Sequence, residues 1–396
     1  MQTPTLLDRL RSVKSYIELP VTAKVEHRRD RSRGLGADPG IDQCVSAAMG
    51  WLCRAQDRST TADGGVARDF SLVTGWGPSY PETTGYIVPT FLEVGEAQND
   101  PALIERGRRM LDWLVAIQLP GGGYQGGTIR STPVVAVTFN TGQILLGLAA
   151  GAKRFGEPYL GAMHRAAQWL VESQDADGAW RKHPTPFAAP GEKAYETHVA
   201  WGLLEAAAVA GNERYAEAAM RNMRWALAKQ QRNGWFSDCC LSDATQPLTH
   251  TIGYVLRGIV EGYRHKRDDD LLAAARRTAE SLLDVVGPDG FIPGRLDSRW
   301  RPTVSWVCLT GSVQIAHCWL QLAQIVGDER FVAAARRVNS YVRRTVRVSG
   351  DEDTRGAVKG SFPVWGDYGS YQYLNWAAKF FVDANRLERA TARGAR

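Results

Sequence analysis

From residue 41 onward the chain alternates between two kinds of apolar pattern. In one set, apolar residues recur at i, i+3, i+4 and i+7 with charges opposite: 101–118, 158–174, 213–230, 270–287 and 329–346, with 44–56 as an earlier copy. That is the spacing of an amphipathic surface helix. The other set comprises 83–95, 140–152, 196–208, 249–262, 309–323 and 373–384, and is apolar around the whole circumference. Helices buried on both sides read that way. Gly85, Gly142, Gly253 and Gly311 fall at matching places near the starts of this second set, with Thr or Asn close before them as N-caps.

The two sets interleave with a fixed period. Trp113, Trp169 and Trp225 are 56 residues apart, as are Gln118, Gln174 and Gln230. One repeat is a helical hairpin plus one long loop. Six hairpins predict an all-α (α/α)6 toroid over 41–388, with residues 1–40 as a basic, loosely attached extension and 389–396 as a tail. Each link from an outer to an inner helix far exceeds an ordinary bundle connection. The long loops therefore gather on one rim, where function is expected. Their shared form is Gln, a Gly turn such as Asp177-Gly178 or Asn233-Gly234, then an aromatic. The first job of this form is to stop the outer helix and turn the chain over the rim. The opposite rim has entries as short as Gly211-Asn212-Glu213 and is expected to be too small for a cleft.

The Gln-turn-Gly-aromatic repeat and the hairpin period resemble the (α/α)6 toroid superfamily. That group includes six-hairpin glycosidases, toroid polysaccharide lyases, sugar 2-epimerases and the prenyltransferase/squalene-cyclase repeats. The resemblance spans about 41–388 and implies the fold. It leaves several chemistries open. The segments GWGPSYPETTGY (75–86) and KGSFPVWGDYGSYQYLNWAAKFF (359–381) resemble a bacterial subfamily associated with polysaccharide-related genes.

Composition removes other classes. Lys and Arg total 48 against 42 Asp and Glu, a mild excess of +6 that sits largely in the two ends. No basic stripe marks a nucleic-acid face, so no nucleic acid is expected. No run of 18 apolar residues occurs, so no membrane span is expected. The first twenty residues lack the apolar core and cleavage site of a secretory signal. With six scattered cysteines and no CxxC pair, the expected location is the cytoplasm.

Candidate chemistry follows from convergence at the inner-helix starts. Seven tryptophans lie in rim segments (Trp76, Trp180, Trp235, Trp300, Trp306, Trp365, Trp376), and exposed indoles suit the apolar faces of sugar rings. Hydrolysis of a glycosidic bond needs two carboxyl groups, for which Glu82, Glu196, Asp238 and Asp367 are placed. A uronate lyase or C5-epimerase instead needs a base for a C–H proton and a group to neutralise the carboxylate. His198 and His250, with Tyr254 nearby, offer the first; Asn140, Arg130, Arg301 and Lys359 offer the second. Trp76, Tyr80, Tyr86, Trp235, Trp306, Trp365 and Tyr368 complete the expected binding wall.

The expected function is a carbohydrate-active enzyme on an oligo- or polysaccharide, neutral or acidic, with glycoside hydrolysis first and lyase or epimerase chemistry as the alternative. A non-catalytic glycan-binding toroid and, more distantly, a terpenoid cyclase are the other readings. No cofactor is expected. Asp238, Cys240 and His250 are the residue types of a prenyltransferase zinc site, but their spacing and surroundings do not follow that family. No metal is expected either.

Overall fold

A computed structural model describes residues 16–394. The outer helices are α2 (Ile41–Asp57), α4 (Pro101–Ala116), α6 (Tyr159–Ser173), α8 (Glu213–Leu227), α10 (Asp269–Leu283) and α12 (Glu329–Arg343). The inner helices are α3 (Pro81–Gln98), α5 (Thr138–Phe155), α7 (Thr197–Ala210), α9 (Thr249–Lys266), α11 (Leu309–Val326) and α13 (Asn375–Gly394). A further helix, α1 (Val21–Arg33), precedes them. Each inner helix packs on the next around a ring, and α13 returns to α3 and closes it. The structure is the (α/α)6 toroid expected from the repeat.

The matching glycines explain how close the inner helices come. A Cβ at Gly85 would strike Ile144, one at Gly142 would strike Val199, and one at Gly147 would strike the Gly85 carbonyl. In a free helix Ala is better than Gly by roughly 1 kcal/mol. Here Gly147→Ala is expected to cost about 1–3 kcal/mol through overpacking. A urea titration checks the sign.

The repeated glutamines are staples between neighbouring hairpins. Gln174 Nε2 donates to Gly178 O at 3.0 Å and to Ala218 O at 2.9 Å, while Arg221 donates to its Oε1 at 2.8 Å. Gln118 repeats this pattern with Gly122, Ala162 and Arg165, and Gln56 with Gly64, Arg106 and Arg109. Each amide ties its own Gly turn to the next outer helix. Gln174→Ala leaves two carbonyls short of a donor and is expected to cost about 1–3 kcal/mol, read as a lowered melting temperature.

The ring seam carries the small sheets. β1 (Asp69–Ser71) lies between β2 (Gly75–Trp76) and β5 (Gln372–Leu374), all antiparallel, with Phe70 opposite Tyr373. β3 (Val307–Cys308) pairs with β4 (Ser361–Phe362). The first and last long loops are thereby joined over the inner-helix starts. Asn375 Nδ2 adds bonds to Ala67 O at 2.9 Å and to Thr83 Oγ1 at 2.8 Å.

The extension is not loosely attached in the part described. α1 is docked on the last long loop by its acidic side chains. Lys359 Nζ lies 2.7 Å from Glu26 Oε1 and 2.6 Å from Asp30 Oδ1, all three residues being buried. His27 stacks on Trp365 at 4.2 Å and bonds Tyr371 Oη at 2.8 Å. Net basicity hid this face: Lys and Arg dominate the count, but the inward positions are Glu26 and Asp30. Residues 1–15 and 395–396 lie outside the described residues.

Candidate functional site

The chain turns into α3 through Ser79-Tyr80-Pro81, and Pro at the first helical position fixes the entry. Glu82 then falls in the first helical turn and points to the ring interior, only 8% exposed. Its Oε2 accepts a bond from Tyr80 Oη at 2.9 Å. Burial pushes its carboxyl up to about 7, against the pull of the Tyr80 bond and the Arg68 charge. A carboxyl in that range can hold or release a proton near neutrality.

Glu82 belongs to a shell of aromatic and imidazole rings. His250 lies 4.3 Å from Tyr254 and 5.4 Å from Tyr368, centroid to centroid; His198 lies 4.6 Å from Tyr254. Trp376 Nε1 donates to Tyr368 Oη at 2.8 Å, and the Arg68 guanidinium sits 5.3 Å over the Trp376 ring. Burial holds the hydroxyls of Tyr80, Tyr254 and Tyr368 well above their usual range. They stay protonated and are not bases, contrary to the expectation for Tyr254.

The two histidines are held alike. His198 Nδ1 meets Gln143 Oε1 at 2.6 Å, and His250 Nδ1 meets Gln314 Oε1 at 2.7 Å. An amide oxygen accepts, so Nδ1 carries the proton and Nε2 keeps its lone pair. Burial keeps both rings neutral: His198 is pushed well below its usual value and His250 down to about 4. His198 Nε2 is buried without a partner. Gln143 and Gln314 escaped the sequence reading because a polar residue on an inner helix has no local signature; Arg68 and Trp376 escaped it as well.

Other expected residues are elsewhere. Asp238 is half exposed and ion-paired to Lys229 at 3.0 Å. Asp367 is 79% exposed beside Arg295 at 3.5 Å. Glu196 ends a short 3-10 turn, 5% exposed, with Oε2 unpartnered; burial raises its carboxyl well above the ordinary range, countered by Lys193. Arg130 bonds Thr60 O at 2.9 Å and Arg301 pairs with Asp297, both at the surface. Asn140 is buried in the first turn of α5, beside Phe139, which packs on Tyr195 and Tyr254. Lys359 is consumed by α1.

The tryptophan cleft is largely not built. Trp180, Trp235 and Trp376 are buried, while Trp76, Trp300 and Trp306 are half buried. Trp76 donates to Asp353 at 2.9 Å, Trp300 packs edge-on against Trp235, and Trp306 fills the space over Gly294. Long loops need apolar anchors, and these indoles supply them. Of the seven, Trp365 alone is exposed, and His27 covers one of its faces. Among the outer-helix tryptophans Trp113 is buried, but Trp169 and Trp225 are half buried.

The rim expected to be too small holds cavities. One of about 570 Å³ is lined by Tyr86, Trp201, Arg257, Lys379 and Asp383. A neighbour of about 600 Å³ shares Glu93, Arg257 and Asp383 with it. Short links leave this mouth uncovered, so the space inside the ring stays open. Tyr86, expected at the other mouth, lines this one.

Among the described residues no helix is long and apolar enough to cross a membrane. A search of curated proteins returns no match. The squalene-hopene cyclase C-terminal domain family matches residues 78–261. Among solved structures, an unsaturated glucuronyl hydrolase from Bacillus sp. GL1 superposes with a TM-score of 0.69 at 17% identity, covering 89% of this chain and 97% of that one. A cellobiose 2-epimerase from Bacillus thermoamylovorans gives 0.68 at 11% identity, covering 88% and 97%. A D-mannose isomerase gives 0.68 at 9% identity, covering 89% and 97%. These likenesses show the (α/α)6 toroid fold, which the named neighbours, all carbohydrate-processing enzymes, share with this chain.

Proposed function

We propose that the protein is a carbohydrate-active enzyme that moves a proton on a sugar ring at the inner-helix N-terminal mouth, as an epimerase, isomerase or lyase does. The observation that carries this reading is Glu82: a buried carboxyl with a pKa of about 7, bonded to Tyr80. It shares its shell with His250, a neutral imidazole whose tautomer Gln314 sets. Tyr80 and Tyr368 are half buried, and the Arg68 side chain is 34% exposed. Substrate would reach the cluster through them. Glu82 as carboxylate would take a C–H proton, and protonated tyrosines would donate bonds to the oxygen on which charge develops. Arg68 is paired with Asp69 Oδ2 at 2.7 Å through Nη1, and its remaining guanidinium donors would meet a sugar carboxylate, which fits the glucuronyl substrate in the name of one structural neighbour.

Hydrolysis by paired carboxyls is the second reading, and Glu196 is what favours it. It is buried with one oxygen unpartnered, and could stay protonated as the acid while Glu82 serves as base. Asp238 and Asp367, bound to Lys229 and Arg295 at the surface, are weaker partners. The assay is a panel of acidic and neutral polysaccharides with wild type, His250→Ala and Glu196→Gln. Proton transfer predicts at least about 10²-fold loss in His250→Ala with little change in Glu196→Gln. The reverse order, with release of new reducing ends, would establish hydrolysis instead.

A further inference from the structure

The cavities at the opposite mouth have no part in that chemistry, yet their lining is chemically specific. Glu261 is 3% exposed and accepts three donors: Arg257 Nε at 2.7 Å, Arg264 Nη1 at 3.0 Å and Gln321 Nε2 at 2.7 Å. One carboxylate is thus shared by two guanidinium groups, and one positive charge is left over. The neighbouring charges are matched pairwise: Lys379 with Asp383 at 2.7 Å, and Arg386 with Glu93 at 3.0 Å. Glu205, on the Trp201 side, bonds Trp201 Nε1 at 2.8 Å and His265 Nε2 at 3.1 Å, and its charge offsets Arg257; with Lys153 also in that lining and in no ion pair among the described residues, one positive charge is still left over.

Two polar atoms are also left over. A carboxylate only accepts, so Glu261 must hold the NH2 end of Gln321, and its Oε1 points away. Gln321 is 4% exposed, lines the cavity, and has no partner for that oxygen. His317 Nδ1 in the same wall is buried and equally unpartnered. Buried polar atoms without partners cost stability unless something fills them. A hydroxyl can donate to Gln321 Oε1 and bond His317 Nδ1 in either sense. Trp201 and Tyr86 supply flat walls in the adjoining cavity, with Arg257 4.6 Å over the Trp201 ring.

We infer that this mouth is a second ligand site, and that it takes a hydroxylated ring bearing one carboxylate, a uronic-acid-type sugar residue. The carboxylate meets Arg264, the exposed one of the two guanidinium groups on Glu261, hydroxyls fill Gln321 and His317, and the ring lies along Trp201. The cavity volumes of about 570 and 600 Å³ suit a ligand of one or two rings. The Glu82 mouth is proposed to take an acidic sugar as well, so the two sites are told apart by which variant removes the preference for glucuronate.

The test is a ligand-observed NMR titration of the full chain with glucuronate and with glucose. Glucuronate is expected to bind about tenfold or more tightly than glucose. Arg264→Gln, at a side chain 53% exposed and therefore tolerant of change, should remove that preference. Gln321→Leu should weaken both sugars about tenfold. Glu82→Gln should leave in place the preference for glucuronate that Arg264→Gln removes. The inference is overturned if glucuronate shows no saturable binding, if it binds no better than glucose, if Arg264→Gln keeps the preference, if Gln321→Leu leaves both affinities unchanged, or if Glu82→Gln removes the preference.

Discussion

Replacing Glu82 with Gln is expected to lower turnover by about 10²- to 10⁴-fold and, at pH 8, to make the protein more stable. The same burial causes both effects. The folded carboxyl titrates at about 7 against a reference of 4.5, so between those values the folded state binds the proton and the unfolded state has lost it. Stability from this group is complete below about 4.5 and is lost as pH rises through about 7. A raised carboxyl pKa of this size costs about 3 kcal/mol above pH 7. Gln carries no charge to bury, so Glu82→Gln should recover much of that at pH 8 and little at pH 4. Urea denaturation at the two pH values reads the difference. Equal stability of variant and wild type at pH 8 would mean that Glu82 is solvated and not the group described. For the wild-type enzyme, base catalysis by Glu82 predicts that kcat/KM rises with pH and levels off above about 7.

The second large effect is at Lys359. Its ammonium is 3% exposed and bridges Glu26 and Asp30. Burial raises both carboxyls and Lys359 pulls both down: Glu26 ends below its usual value and Asp30 above. Lys359→Met leaves two buried carboxyls, Asp30 with no ion-pair partner among the described residues and Glu26 with only Arg347 at 3.7 Å, which is expected to cost about 3–5 kcal/mol. The loss should be greatest above neutrality and smaller near pH 4, where the carboxyls take up protons. The triple change Glu26→Gln, Asp30→Asn, Lys359→Met should restore most of it, because no charge is then buried. A cost below about 1 kcal/mol for Lys359→Met would show that α1 is held by its apolar contacts instead.

The fold was legible because it repeats. Trp and Gln at a fixed spacing, two hydrophobic patterns and one Gly turn per hairpin are all local signals, and six copies reinforce one another. The site was legible only in part. Glu82, His198, His250, Tyr254 and Tyr368 come together because all lie at or just before inner-helix starts, which the periodicity located. Asp238 and Asp367 occupy comparable places in the chain, but their loops turn the side chains outward. Sequence position gives the rim and not the direction of a side chain on an irregular loop. The tryptophans misled for a similar reason, since an indole that anchors a loop and one that stacks on a sugar look alike in sequence. The open mouth at the other end was hidden because its lining comes from the middle and ends of inner helices, where Arg257 or Gln321 carries no motif.

The central claim is that Glu82 moves a carbon-bound proton. It is tested most directly by incubating an acidic polysaccharide with the enzyme in deuterated water and following label at the sugar carbons by NMR and mass spectrometry. The account predicts that wild type introduces deuterium at a ring carbon, or forms an unsaturated product by loss of that hydrogen, and that Glu82→Gln does so at least about 10²-fold more slowly. Release of new reducing ends with no carbon-bound exchange and no unsaturation would contradict it.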